Sequence, residues 1–152
     1  MNNSSLLGTN FCTQIGLLVH DVDKVSQSYA RFLGVEPPVT FWTDGQDKTE
    51  AEHNGKPTNA RAKLAFFDLG SLQLELIQPD HEPSTWREYL DAHGEGVHHI
   101  AFEVQGMKEK IMLMERNGMP LMQKGEYEGG RYAYMDSYEP LKVILELLEN
   151  DK

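Results

Sequence analysis

The chain has 152 residues, of which 39% are hydrophobic and 25% charged, proportions that suit one globular domain or two small repeats sharing a core. A net charge of −10 and a pI of about 5.0 argue against a nucleic-acid partner, because phosphate-backbone binding needs basic patches. The opening "MNNSSLLGTN" lacks the basic-then-apolar order of a signal peptide, no run approaches the ~18 apolar residues of a membrane span, and Cys12 is the only cysteine, too few for a disulfide framework or a Cys-type zinc site; a cytoplasmic protein with no membrane partner is expected.

In chain order, "FCTQIGLLV" reads as a strand. Its face of Phe11, Thr13, Ile15, Leu17 and Val19 is mostly apolar, and Gln14 lies opposite, beside Gly16. A helix follows, capped by Asp21 or Asp23, with Val22, Val25, Tyr29, Phe32 and Leu33 at helical spacing and Gly34 as its C-cap. Three strand-like runs come next, around "PVTFW", "RAKLAFFDLG" and "SLQLELIQP". Between the first two, the polar stretch Thr43–Ala60, "TDGQDKTEAEHNGKPTNA", is expected to be a loop. In the third run Leu72, Leu74 and Leu76 share one face, and Gln73, Glu75 and Ile77 share the other.

"DHEPSTWREYLDAHGEG" predicts a connecting helix from Ser84 to about His93. The strand "GEGVHHIAFEV" then sets two histidines side by side. Strict alternation places His98 with Ile100, Phe102 and Val104 on an apolar face that packs against a helix. It places His99 with Val97, Ala101 and Glu103 on the other face, so the two imidazoles are expected to point apart. A second helix carries Met107, Ile111 and Met114 and ends near Gly118, followed by "PLMQK", "GRYAYMD" and "LKVILELLE". In the last run Glu146 shares a face with Ile144 and Leu148, a costly place for a carboxylate unless it is paired or bound to a metal.

The pattern is βαβββ written twice: module one at about 11–79, a connecting segment at about 82–94, and module two at about 96–149. The expected fold is α+β, a single domain whose two modules form one curled mixed sheet around a cup. Gln14-Ile15-Gly16 aligns with His99-Ile100-Ala101, and Glu75 aligns with Glu146. Taken singly, each polar residue reads as an ordinary strand residue. Their symmetric placement about a pseudo-two-fold axis instead predicts that Gln14, Glu75, His99 and Glu146 converge. An amide oxygen, an imidazole and two carboxylates suit a divalent ion such as Zn, Co, Ni, Mn or Mg.

From about Phe11 to Glu149 the sequence resembles the vicinal oxygen chelate superfamily, the group of glyoxalases, bleomycin-resistance proteins and extradiol dioxygenases. "GEGVHHIAFEV", "LQLELIQP" and "VILELLE" are similar to the ligand strands of methylmalonyl-CoA epimerases within it. The resemblance implies that His99, directly before the Ile-Ala pair, is the ligand. There are two departures. The epimerases begin with His-Ile-Gly where this chain has Gln14, and the set Gln, Glu, His, Glu resembles that of some glyoxalase I enzymes. The epimerases also carry a second acid–base glutamate at a position that falls here near Asn59; Glu50, Glu52 and His53 are the neighbouring substitutes.

The resemblance implies a metal-dependent isomerase that moves a proton beside a chelated carbonyl or thioester, with Glu146 as the proton carrier. The alternatives are a glyoxalase I-like lyase acting on a thiol–α-ketoaldehyde adduct and a bleomycin-resistance-type binding protein. The implied partner is a small molecule, either an acyl-CoA or a thiol adduct. Open sheet edges further predict a homodimer.

Overall fold

A computed structural model of the chain describes residues 5–152; the first four residues of the stretch read above for a signal peptide lie outside them. Strand β1 (Cys12–Leu18) leads into helix α1 (Val22–Leu33). Asp21 caps the start of α1 by accepting the amide of Lys24, and Gly34 ends it in the left-handed region at φ 71°, where a Cβ would be strained. Then come β2 (Phe41–Trp42), α2 (Gln46–Thr49), β3 (Glu52–His53), β4 (Lys56–Pro57), β5 (Ala62–Asp68) and β6 (Gln73–Pro79). Helix α3 (Thr85–His93), capped by Ser84, connects the halves. The second half is β7 (Gly96–Glu103), α4 (Met107–Arg116), β8 (Leu121–Tyr127), β9 (Gly130–Met135), α5 (Tyr138–Leu141) and β10 (Ile144–Asn150).

All ten strands join one mixed sheet in the order β2-β5-β6-β1-β7-β10-β9-β8-β3-β4. Its centre is the antiparallel pair β1–β7, and each of these strands runs parallel to the last strand of its own module, β6 or β10. The order outward from the centre is therefore the same in both directions as far as β2 and β8. That is the doubled βαβββ arrangement expected from the repeat. Helices α1 and α4 cover the outer face. Val22 and Ala30 of α1 pack with Ile15, Leu17, Leu74 and Leu76, and Met107 and Met114 of α4 pack with Ile100, Phe102, Leu145 and Leu147. A third cluster places Trp86 and Leu90 of α3 against Leu18, Ile77, Tyr134 and Ile144 at the midline.

Two expectations need correction. Thr43–Ala60 is not simply a loop: it holds α2 and the β3–β4 hairpin, and β3 pairs with β8 of the other module. A segment inserted in module one thus extends the far end of the sheet, crossing from β2 at one end to β8 at the other. Polar composition concealed this because its strands are two residues each, below the length at which alternation is visible.

The second correction concerns the histidines. Gly16 pairs with His99 and Leu17 with Val97, so His98 is the extra residue of a bulge. Alternation fails at that point, and His98 and His99 face each other with their Nδ1 atoms 2.9 Å apart. An equivalent irregularity falls on β1 between Cys12 and Gln14, so each first strand has an extra residue just before Gln14 or His99.

Candidate metal centre

The β1–β7 register explains why two long polar side chains fit at the centre of the sheet. Gly16 stands opposite His99, and Ala101 stands opposite Gln14. A Cβ at Gly16 would run into the His99 ring at Cε1, Nδ1 and Nε2, so this glycine is required for space. On the parallel neighbours Glu75 lies beside Gly16 and Glu146 beside Ala101, which repeats the symmetry.

All four side chains selected from the sequence come together around one atom. His99 Nε2 is 2.8 Å from Gln14 Oε1, 3.2 Å from Glu146 Oε1 and 3.3 Å from Glu75 Oε1. Donor atoms of Glu75, His99 and Glu146 lie within 4.8 Å of one another, and all three residues are buried. Gln14 donates its amide N–H to Gln73 Oε1 at 2.7 Å, which aims its oxygen at His99. Gln73 shares the Glu75 face two residues away, and only the β1–β6 pairing brings it to Gln14.

The donor set fits a divalent cation. Three oxygen acceptors surround one ring nitrogen, and a single N–H can satisfy only one of them. Glu75 Oε1 is buried and has no hydrogen-bond partner, a costly state that a bound cation relieves. The electrostatics agree. Burial by itself would lower the pKa of His99, but the negative charges of Glu146 and Glu75 beside its Nε2 outweigh it and push it up to about 10. Burial also raises the Glu75 carboxyl above its usual range, against the opposing pull of His99 and with a further push from Glu146. Without a metal, a buried proton on His99 holds two carboxylates together; a divalent ion can take over that work.

The cup above these residues has a volume of about 590 Å³, enough for a small organic ligand. Gln14, Glu75 and Glu146 line it together with a wall of Phe41, Trp42, Phe66, Tyr127, Tyr132 and Tyr134. The residues considered as substitutes for the missing glutamate are elsewhere. Glu50 and Glu52 line an adjoining groove with Arg131 and Glu149, divided from the cup by Thr49, Glu126 and Tyr132, which line both. His53 is buried with Nε2 3.4 Å from Glu88 of α3, and Asn59 is exposed and does not line the cup.

A doubled βαβββ half-barrel with Gln14, Glu75, His99 and Glu146 gathered on its concave face defines a class of protein, and comparison with known proteins agrees. The chain belongs to the Glyoxalase/Bleomycin resistance protein/Dioxygenase superfamily, whose family model matches residues 13–134. It is 29% identical over 100 residues to the uncharacterized protein YqjC of Bacillus subtilis (strain 168), covering 64% of this chain and 71% of that one. Among solved structures it resembles methylmalonyl-CoA epimerase from Mycobacterium tuberculosis, with 21% identity, TM-score 0.64, and coverage of 100% of this chain and 94% of that one. It also resembles a Streptomyces coelicolor methylmalonyl-CoA epimerase variant in complex with 2-nitronate-propionyl-CoA, with 20% identity, TM-score 0.63, and coverage of 93% and 97%. At these identities the solved structures speak for the fold.

Proposed function

We propose that the protein is a divalent-metal-dependent enzyme that moves a proton on the carbon beside a chelated carbonyl or thioester. The observation that carries this reading is the convergence of Gln14, Glu75 and Glu146 oxygens on His99 Nε2, with Glu75 Oε1 left unpartnered at the floor of the cup. Gln14, Glu75, His99 and Glu146 would hold the ion, which supplies Lewis acidity toward a substrate oxygen. Glu146 takes the proton from carbon onto its carboxylate and returns it. Its burial beside Tyr134 and Leu148 limits exchange of that proton with bulk water. The aromatic wall packs the organic part of the substrate and excludes solvent.

In its finer form the reading is a methylmalonyl-CoA epimerase-like isomerase acting on an acyl-CoA, supported by the His99 strand and by the fold of the epimerases. One observation favours a second reading, a glyoxalase I-like lyase acting on a thiol–α-ketoaldehyde adduct. Glu50, Glu52, His53 and Asn59 all lie outside the cup lining, so none stands in for the second acid–base glutamate of the epimerases. Glu75 and Glu146 are then the paired carboxylates at the floor of the cup, whose lining also includes Asp44, Glu126 and Glu128. A cytoplasmic location and a homodimer remain part of the proposal.

The test is deuterium incorporation from heavy water by protein loaded with cobalt or zinc. It is run with methylmalonyl-CoA and, separately, with the adduct of methylglyoxal and a thiol. Exchange into the first alone supports the epimerase form, and turnover of the second alone supports the lyase. Metal uptake with neither activity would favour a binding protein.

A further inference from the structure

We propose that His98 is the positioning residue for His99, accepting the His99 Nδ1–H so that Nε2 faces the metal donors, and that Thr85 of the connecting helix in turn fixes His98. The proposal builds on the metal-site reading, but it concerns groups present in the chain itself. The His98 and His99 Nδ1 atoms are 2.9 Å apart, so one of them carries the shared proton. If His98 carried it, His99 would be an acceptor there and its own proton would sit on Nε2, where three oxygens converge and a cation could not be bound. If His99 carries it, Nε2 is left to ligate, and His98 must hold its own proton on Nε2. The residue beside that atom is Thr85, whose Oγ1 is 3.2 Å away and can accept it.

The supports are as enclosed as the site. His98, Thr85 and Gln123 are each at most 1% exposed. The Thr85 amide donates to Gln123 Oε1 at 2.8 Å, and Gln123 donates to the Tyr132 hydroxyl at 3.0 Å. The His98 ring is held edge-on between Tyr89 at 5.4 Å and Tyr134 at 5.0 Å. Only the bulge makes this possible, since regular alternation would turn His98 away from His99. Outer partners of this kind set the tautomer and ring orientation of a ligating histidine.

Packing alone predicts different behaviour from positioning, and two substitutions separate them. His98→Phe fills the same cage but cannot accept a proton. His98→Asn places Oδ1 close to where Nδ1 was and restores the acceptor. Cobalt titration followed by visible absorption should show affinity falling on the order of 10- to 100-fold in His98→Phe. His98→Asn should recover most of it, and Thr85→Val should give a smaller loss. Circular dichroism confirms that each variant is folded. Parental cobalt affinity in His98→Phe would overturn the proposal.

Should His98→Phe fail to fold, long-range proton–nitrogen NMR on the parent still decides the matter, because it needs neither a variant nor an ion. With no ion bound the expected pattern is His99 protonated at Nδ1 and also at Nε2, where it faces the two carboxylates, and His98 protonated only at Nε2. A proton on His98 Nδ1 refutes the idea. Absence of cobalt binding by the parent would overturn the metal reading itself, and the protonation pattern seen by NMR would then decide the role of His98 separately.

Discussion

Gly16 is the residue on which the centre is most sensitive to a single methyl group. It faces His99 across the sheet, and a Cβ there overlaps the imidazole. Gly16→Ala should therefore cost about 1–3 kcal/mol of stability, in the range of other overpacked cores, and should displace His99 from the oxygens. Thermal melts together with cobalt titration check both effects; an unchanged cobalt affinity would show that the ring has room to move. At Glu146, substitution by Gln keeps an oxygen for the ion but removes the proton acceptor, so proton exchange should collapse while some metal is retained. Gln14→His should retain both. Deuterium incorporation measured beside bound metal distinguishes the two, and parental exchange in Glu146→Gln would remove Glu146 from the proton-carrying role.

The pH behaviour belongs to the same residues. His99 is raised to about 10 from an ordinary 6.5, so its contribution to metal-free stability is full below about 6.5 and is lost as pH rises through about 10. His98 works in the other sense. Burial, reinforced by the charge on His99, holds its pKa well below the ordinary value. The unfolded chain therefore takes up a proton there that the folded chain refuses, and stability falls as pH drops below about 6.5. Between pH 7 and 10 the His99 effect is the one in play. Denaturant unfolding with a chelator present should show stability falling across that window. With metal bound the decline should shrink, since His99 Nε2 then has no proton to lose.

Among the elements, the β3–β4 hairpin is distinctive because it belongs to module one but extends the sheet beyond β8. Thr58 ties it down: its buried hydroxyl donates to the Pro83 carbonyl at 2.7 Å and accepts the Ala60 amide at 3.2 Å. Thr58→Ala leaves that carbonyl and amide without this partner and should cost about 1–3 kcal/mol. The loss should appear as faster amide exchange in residues 51–58, while cobalt affinity stays near parental because none of the four donors lies on the hairpin. A loss of cobalt binding would mean that closure of the sheet end is coupled to the centre. The same hairpin bears on assembly. The strands ending the sheet, β2 and β4, are two residues each, and Pro57 on β4 lacks an amide hydrogen. Exposed edge is therefore shorter than the repeat by itself suggested. Light scattering at micromolar concentration tests the homodimer.

At the scale of the whole molecule, the site draws two donors from each module, Gln14 and Glu75 from one and His99 and Glu146 from the other. Metal binding should accordingly stabilise both modules together, by an amount set by ion concentration relative to its dissociation constant, about 2.7 kcal/mol at a hundredfold excess. A single cooperative melt, shifted upward by cobalt or zinc and downward by chelator, is the expected result. Two separate transitions, with only one moved by the ion, would contradict a shared centre. No helix among the described residues is long and apolar enough to cross a membrane.

The doubled βαβββ order, the faces of most strands and the four converging residues were legible in the sequence, because each depends on local periodicity and on an internal repeat that persists whatever the chain packs against. Glu75 and Glu146 could be assigned to the inner face because their strands keep a strict period of two. Three features were decided only by tertiary structure. The bulge that turns His98 toward His99 depends on the register of β1 against β7, a long-range pairing for which "VHHIA" carries no local signal. The need for glycine at residue 16 exists only because His99, 83 positions further along the chain, lies across from it. The crossing of residues 43–60 to β8 rests on two short backbone pairings, too brief to leave a hydrophobic pattern. Periodicity specifies which face a side chain takes within its own strand; which residue stands opposite is set by register, and register exists only once the strands have paired.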